Sequence, residues 1–250
     1  MSDPTVSVVT GAGQGIGAAI ATTLAARGDR LVLASRNVDS LTEVAEEIGR
    51  AGGHASVVPL DVSDPANIER FTAQVLAEHG TPTVLVNAAG NAIAKTALDV
   101  TVEDWDFVHN VHLRGTFFVC QGLGRAMTEA GYGKIINLSS TWAVTVAPGR
   151  SVYAAAKAGV SHLTAALAVE WARLGVRVNA IAPSATLTPR MEERLRQDPA
   201  RAEYFRERIP LGRLATPEDM TGAVLFLSSP QSDFITGQTL LIDGGWQYAR

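Results

Sequence analysis

Tyr153 and Lys157 stand four residues apart in a stretch, Ser151 to Leu174, that reads as a long helix. That spacing puts both side chains on one helix face, with Cβ atoms about 5–6 Å apart. A free tyrosine ionises near ~10, too high for ready proton exchange at neutral pH. A neighbouring ammonium favours the phenolate, so the spacing predicts a Tyr153 pKa held down by Lys157. Ser139-Ser140 closes the apolar run Lys134-Ile135-Ile136-Asn137-Leu138, thirteen residues before Tyr153. These serines fall beside the expected cofactor cleft. The chemistry available to the tyrosine and lysine is proton exchange at an oxygen.

A second chemical feature lies at the start of the chain. Thr10-Gly11-Ala12-Gly13-Gln14-Gly15-Ile16-Gly17 joins the strand-like run Val6-Ser7-Val8-Val9 to an Ala-rich helix ending near Arg27. Glycines there permit a tight turn and bring backbone N–H groups against a pyrophosphate at a helix N-terminus. The generic dinucleotide fingerprint has a third Gly or Ala where this chain has Ile16, so the glycines are spaced differently from that pattern. The second strand ends Leu33-Ala34-Ser35-Arg36, without the carboxylate that binds a ribose 2′-OH. A hydroxyl beside a guanidinium suits a 2′-phosphate. NADP(H) is therefore the favoured cofactor and NAD(H) the second choice.

Short apolar runs alternate with helical patterns along the whole chain. After the first two strands come Ala55 to Leu60, Val84-Leu85-Val86, Lys134 to Leu138, Val176 to Ile181 and Thr239 to Ile242. Strands this short and uniformly apolar are those buried on both faces between helices. The fold class implied is α/β: a Rossmann-type doubly wound parallel sheet of about seven strands flanked by helices, one domain over 1–250. Asp39 or Ser40 is expected to cap the second helix, and Ser63-Asp64-Pro65 to open the third. A continuous helical region is expected from about Thr101 to Ala130. Residues 188–214 are charged, contain three prolines and break the rhythm, which marks them as a lid inserted over the site.

Composition narrows the rest. The 250 residues are 46% hydrophobic and 18% charged, with a formal net charge of -4. That balance supplies no basic surplus for a phosphate backbone, so nucleic acid is excluded as the main partner. No stretch approaches the ~20 uninterrupted apolar residues of a membrane span, and Met1-Ser2-Asp3-Pro4 lacks the pattern of a leader. Cys120, the one cysteine, sits in an apolar run and reads as a small buried thiol; a cytoplasmic location and no metal site are expected.

Taken together, these motifs resemble the short-chain dehydrogenase/reductase family, in its branch of about 250 residues, over essentially the whole chain. The resemblance rests on Thr-Gly-x-x-x-Gly-x-Gly at 10–17, Asn87-Ala88-Ala89-Gly90, Ser140, Tyr153-Ala154-Ala155-Ala156-Lys157, Asn179-Ala180-Ile181-Ala182-Pro183 and Asp243-Gly244-Gly245. It implies that Tyr153 is the proton donor and acceptor, that Ser140 binds the same substrate oxygen, and that Lys157 binds the nicotinamide ribose. It further implies that Asp61 and Val62 lie beside the adenine, that Asn87 to Gly90 support the cofactor and the central sheet, and that Pro183, Thr186 and Thr188 lie at the nicotinamide end.

Two positions depart from the family pattern. Where the family has an asparagine that holds a water linked to the lysine, the string Val111-His112-Leu113-Arg114-Gly115-Thr116-Phe117 has His112. A neutral imidazole has one donor and one acceptor nitrogen and can take over that task; the alternative is a histidine satisfied by a backbone carbonyl. Pro183-Ser184 replaces the usual Pro-Gly, which reshapes the pocket slightly.

The substrate wall is expected to come from Asn91, Ala92, Ile93, Trp142, Val144, Thr145 and Val146, with Met191, Tyr204 and Phe205 from the lid. Most are apolar, which suits a neutral carbonyl compound, while Arg150 and Arg190 offer to meet an anionic group instead. The activity expected is interconversion of a ketone or aldehyde with its alcohol. A 3-oxoacyl reductase acting on carrier-linked substrates and a catalytically silent dinucleotide-binding sensor are the alternatives. Gly122, Gly124, Ala165, Ala166 and Ala168 on the two long helices suggest close helix packing in a homotetramer or homodimer.

Overall fold

The computed structural model describes residues 5–249, so Met1 to Pro4 lie outside the described residues. The first half of the chain alternates β1 (Val6–Thr10), α1 (Gly15–Ala26), β2 (Arg30–Ser35), α2 (Val38–Arg50), β3 (His54–Pro59), α3 (Pro65–His79) and β4 (Val84–Asn87). The next elements are α4 (Val102–His109), α5 (Thr116–Ala130), β5 (Gly133–Leu138), α6 (Ser151–Trp171) and β6 (Val176–Pro183). Two short helices, α7 (Pro189–Gln197) and α8 (Ala200–Arg208), precede α9 (Thr221–Leu227) and β7 (Thr239–Ile242).

All seven strands are parallel, in the order β3-β2-β1-β4-β5-β6-β7. Successive strand side chains point to opposite faces, so each apolar run fills two layers at once. Val8, Val32, Leu85 and Ile135 face Phe71 of α3, Leu123 of α5 and Leu167 of α6. Their neighbours Val9, Leu33, Val86 and Ile136 face Ile20 and Leu24 of α1, Leu41 of α2 and Val224 of α9. Burying each such side chain contributes about 1.5–3 kcal/mol, which is why neither face tolerates a polar alternation. The chain turns away in opposite directions after β1 and β4, and a crevice opens at their carboxyl ends.

Three local expectations are corrected. α2 is capped by Asn37, whose side chain accepts from Ser40 N at 3.3 Å, and Asp39 and Ser40 both lie in the first turn. Asn37 has the extended backbone that a cap requires. The region Thr101 to Ala130 is not one uniform α-helix, because Asn110–Gly115 is wound as a π-turn between α4 and α5. There the helix passes the β3–α3 loop at backbone contact: a Cβ on Gly115 would lie 2.4 Å from Val62 O. Finally, the small residues of α5 serve packing within the chain. A Cβ on Gly122 would meet Thr72 at 2.6 Å, and one on Gly124 would meet Trp171 at 2.8 Å.

Asp64 caps α3, with Pro65 at its first position, as the sequence implies. The stretch Ser151–Leu174 is long and apolar enough by composition to cross a membrane. Its Val152, Val160 and Leu167 are buried in the core.

Candidate active site

A cleft of about 770 Å³ runs along the carboxyl ends of the strands, from Arg36 at one end to Trp246 at the other. Its middle is the glycine turn after β1. Gly11 has φ +68°, and a Cβ there would stand 2.7 Å from Ala88 O; a Cβ on Gly17 would stand 2.2 Å from Gly11 O. Only glycine permits this approach of α1 to the turn. Gln14, at the N-terminus of α1, makes no side-chain cap, which leaves the first-turn N–H groups facing the cleft. A cradle of this shape and polarity fits a pyrophosphate.

At one end, Ser35 and Arg36 line the cleft together with Asp61 and Val62. Burial raises the Asp61 pKa, but hydrogen bonds from the Ser63 side chain and backbone, with the Arg36 charge, hold it below the usual value. Arg36 makes no ion pair among the described residues. Ala88, Ala89 and Gly90 form the wall after β4. Asn87 does not reach the cleft surface. It is buried, donating to Asn137 Oδ1 at 2.9 Å and contacting Cys120 Sγ at 3.2 Å. The Cys120 thiol is pushed up to about 12 by burial, as befits an inert core group.

At the other end, the C-terminus of β5 and the start of α6 bring Ser140, Tyr153 and Lys157 to the cleft. The two serines after β5 divide their tasks. Ser139 Oγ is spent on Lys157 O (3.1 Å) and Ser161 Oγ (2.7 Å). Ser140 starts the turn Thr141–Ala143, accepts from Trp142 N at 3.2 Å and faces Tyr153. Lys157 Nζ donates to Leu138 O at 2.6 Å and lies 5.7 Å from the centre of the Tyr153 ring. The electrostatic expectation is corrected here. Burial brings Lys157 down to about 7. Burial raises the Tyr153 pKa, while the Ser140 hydroxyl and the charges of Arg150, Arg190 and Arg194 pull it back.

His112 sits on the π-turn, buried, with its ring edge-on to Tyr153 at 5.2 Å. Gly90 makes room for it, since a Cβ there would lie 2.9 Å from Cε1. Nε2 is 2.7 Å from Asn91 O and 3.2 Å from Asn91 N. The Asn91 N–H donates to Nε2 while Asn91 O lies closer still, and Nδ1 is buried without a hydrogen-bond partner among the described residues. Burial and the nearby Lys157 keep the ring neutral by lowering its pKa well below the usual value.

Thr188 caps α7, accepting from Met191 N at 3.3 Å, and lies over the glycine turn, 3.0 Å from where a Gly15 Cβ would be. Pro183 and Thr186 also line this end. Of the substrate-wall residues, Asn91, Ala92, Trp142, Met191, Arg190 and Phe205 reach the cleft. Val146 does not: its loop turns outward after Thr141–Ala143, and it is 87% exposed. Val144 is exposed on the same loop, and Tyr204 packs outside Trp246 with Arg208 over its ring. Ile93 packs behind Tyr153 with Val108 and Val152, and Thr145 bonds back to Thr141 O.

Among the lining residues that the sequence reading missed are Arg194 and Trp246. Arg194 was detectable as the i+4 neighbour of Arg190. Trp246 is brought in by the turn at Gly244 (φ +62°) and Gly245 (φ +92°), with Asp243 accepting from Gly245 N and Gln247 N.

Known proteins share this frame along its length. A family model described as Enoyl-(Acyl carrier protein) reductase matches residues 11–247. The chain is 37% identical to a D-threitol dehydrogenase of Mycolicibacterium smegmatis, covering 98% of this chain and 93% of that one. A solved structure of a gluconate 5-dehydrogenase from Burkholderia cenocepacia, in complex with NADP and tartrate, superposes with a TM-score of 0.94 at 33% identity, over 99% of this chain and 97% of that one. A short-chain type dehydrogenase/reductase from Mycobacterium marinum superposes with a TM-score of 0.91 at 33% identity, over 97% and 95% of the two chains. With its parallel sheet, its cofactor cradle and relatives of this kind across nearly every residue, the chain belongs to the short-chain dehydrogenase/reductase family and is an NAD(P)-dependent oxidoreductase acting on CH–OH groups.

Proposed function

We propose that the protein interconverts a small-molecule ketone or aldehyde with its alcohol, using NADP(H) in preference to NAD(H) and Tyr153 as general acid and base. The observation that carries this reading is the meeting of Ser140, Tyr153 and Lys157 at one point of a cleft continuous with the glycine cradle. When bound, the nicotinamide supplies the hydride in reduction and accepts it in oxidation. In reduction the Tyr153 hydroxyl gives its proton to the carbonyl oxygen; in oxidation the phenolate takes the proton from the alcohol. Ser140 donates to that oxygen as charge grows on it. Lys157 would bind the ribose hydroxyls of the cofactor and return the proton to the phenolate.

The raised Tyr153 pKa keeps the phenol protonated at neutral pH, which suits reduction. Oxidation needs the phenolate, so its kcat/KM is expected to climb with pH, while that of reduction falls at alkaline pH. The fold carries this site on one domain, with residues 188–214 as the lid whose base is tied down by the bridge between Thr186 and Ala215. Outward-facing apolar side chains such as Val169 and Phe234 suit assembly as a homodimer or homotetramer. The lone reduced thiol at Cys120 suits the cytoplasm.

The test is NADPH oxidation, followed by its absorbance, over a panel of small carbonyl compounds, with kcat/KM compared for NADPH and NADH. A higher value with NADPH is expected, and Arg36→Leu should cut the ratio about tenfold or more, the value of a lost charged hydrogen bond. A ratio favouring NADH would overturn the cofactor assignment.

His112 fits the place of the family asparagine, with Nδ1 offered to a water beside Lys157. His112→Ala is expected to lower kcat about tenfold and to shift its pH profile, with His112→Asn restoring both. Unchanged kcat and pH profile in His112→Ala would reduce this residue to packing.

A further inference from the structure

Resting on the Tyr153 reading, we infer that the substrate of this cleft carries an acid group, a carboxylate or sulfonate, on the same small molecule as the reacting oxygen. Arg150, Arg190 and Arg194 hold that group. The three guanidinium groups reach the same end of the cleft from two elements. Arg150 directly precedes α6, three residues before Tyr153; Arg190 and Arg194 stand one turn apart on α7.

Most arginines of α7 and α8 around them are paired with carboxylates, and Arg208 instead lies over the Tyr204 ring. On the outer faces of α7 and α8, Arg196 pairs with Glu193, Arg201 contacts Asp198 and Arg206 pairs with Glu203. Arg150, Arg190 and Arg194 make no side-chain hydrogen bond or ion pair among the described residues. Among the described residues lining the cleft, Asp61 is the one carboxylate, and it lies beside Arg36 at the other end. Burial disfavours the charges of Arg150 and Arg194, and each also feels neighbouring arginines. Like charges gathered at a half-buried wall cost stability unless an anion enters between them. Every one of the three is close enough to draw the Tyr153 pKa down, so an acid group among them lies on a molecule that also reaches the phenol.

The facing surface specifies the body of that molecule. Trp142 lies under Arg150 at 5.9 Å and edge-on to Trp246 at 5.8 Å, with Phe205 against Trp246 at 5.6 Å. Guanidinium groups beside aromatic faces form a site for an anion with a flat or apolar frame.

Two measurements test this. In the first, kcat/KM at saturating NADPH is compared for an acid and its neutral methyl ester, 4-formylbenzoate and methyl 4-formylbenzoate. In the second, Trp fluorescence of the NADP⁺-loaded protein is titrated with benzoate and with benzamide, a comparison that needs no turnover. The acid is expected to exceed the ester, and benzoate to exceed benzamide, by about tenfold or more. Arg194→Gln and Arg190→Gln should each lower both ratios severalfold, whereas Arg196→Gln, on the outer face, should leave them unchanged. Ratios near one in the native protein overturn the inference. So does an equal loss in Arg196→Gln, or a loss that falls on the KM for NADPH instead of on the acid. Failure of every carbonyl compound to oxidise NADPH, with benzoate still preferred, would instead sink the Tyr153 reading and leave the anion site standing.

Discussion

Tyr153→Phe is expected to lower kcat for carbonyl reduction by about 10²–10⁴-fold, the range that a positioned general acid contributes. The substitution removes one oxygen and little else. The ring keeps its edge contact with His112 at 5.2 Å and its packing on Ile93, Val108 and Val152. Stability is therefore expected to change by less than about 1 kcal/mol, and the Kd for NADPH by less than about threefold. The alkaline fall in reduction should vanish with the hydroxyl, since the group whose ionisation causes it is gone. Single-turnover kinetics with NADPH and a good substrate check both points. A variant that keeps its rate, or keeps the same alkaline limb, would place the proton donor elsewhere.

The second large effect concerns the cradle. Gly17→Ala puts a methyl group 2.2 Å from Gly11 O and 2.8 Å from Gly11 C, and both obstacles are backbone. Neither can rotate away, so α1 must move off the turn that faces the cleft. Overpacking of this kind costs about 1–3 kcal/mol, a fall in Tm of about 3–10 °C for a domain of this size. Because the displaced element carries the N–H groups of the cradle, the Kd for NADPH should rise at least about tenfold. Gly49→Ala is the matched control. Gly49 is exposed near the end of α2, has no positive φ, and a Cβ there meets nothing within 4 Å. That change is expected to stabilise the protein by about 0.5–1 kcal/mol through helix propensity. Calorimetry and cofactor titration on the two variants measure both effects. Tight NADPH binding in Gly17→Ala would refute the role given to the turn.

The residues that act locally were legible before the fold was. The turn at 10–17 declares itself through glycines that no other residue replaces, and the inner strands β1, β2, β4, β5 and β6 declare themselves because a strand buried on both faces has no polar alternation to hide it. Asp64-Pro65 states its own helix start. Errors arose where partners came from elsewhere in the chain. Gly122 and Gly124 read as an outward packing surface, yet Thr72 and Trp171 already fill the space beside them. Val146 reads as a pocket residue by its expected nearness to Tyr153, but the direction of a loop is set by what it packs against, and Val146 is exposed.

By itself, the sequence determined the sheet and the glycine turn, because these depend on period or on a backbone conformation only glycine adopts, and through its family resemblance it nominated Ser140, Tyr153 and Lys157. The electrostatics of that set were decided by the tertiary structure alone. Burial depends on the sum of neighbours from every element, and it both lowers Lys157 to about 7 and raises the Tyr153 pKa. The charges that restrain the phenol come from Arg150, Arg190 and Arg194, two of them 37 and 41 positions away along the chain and adjacent only once α7 folds across the cleft. A spacing of four residues can name a pair; only the packed chain says which charges that pair feels.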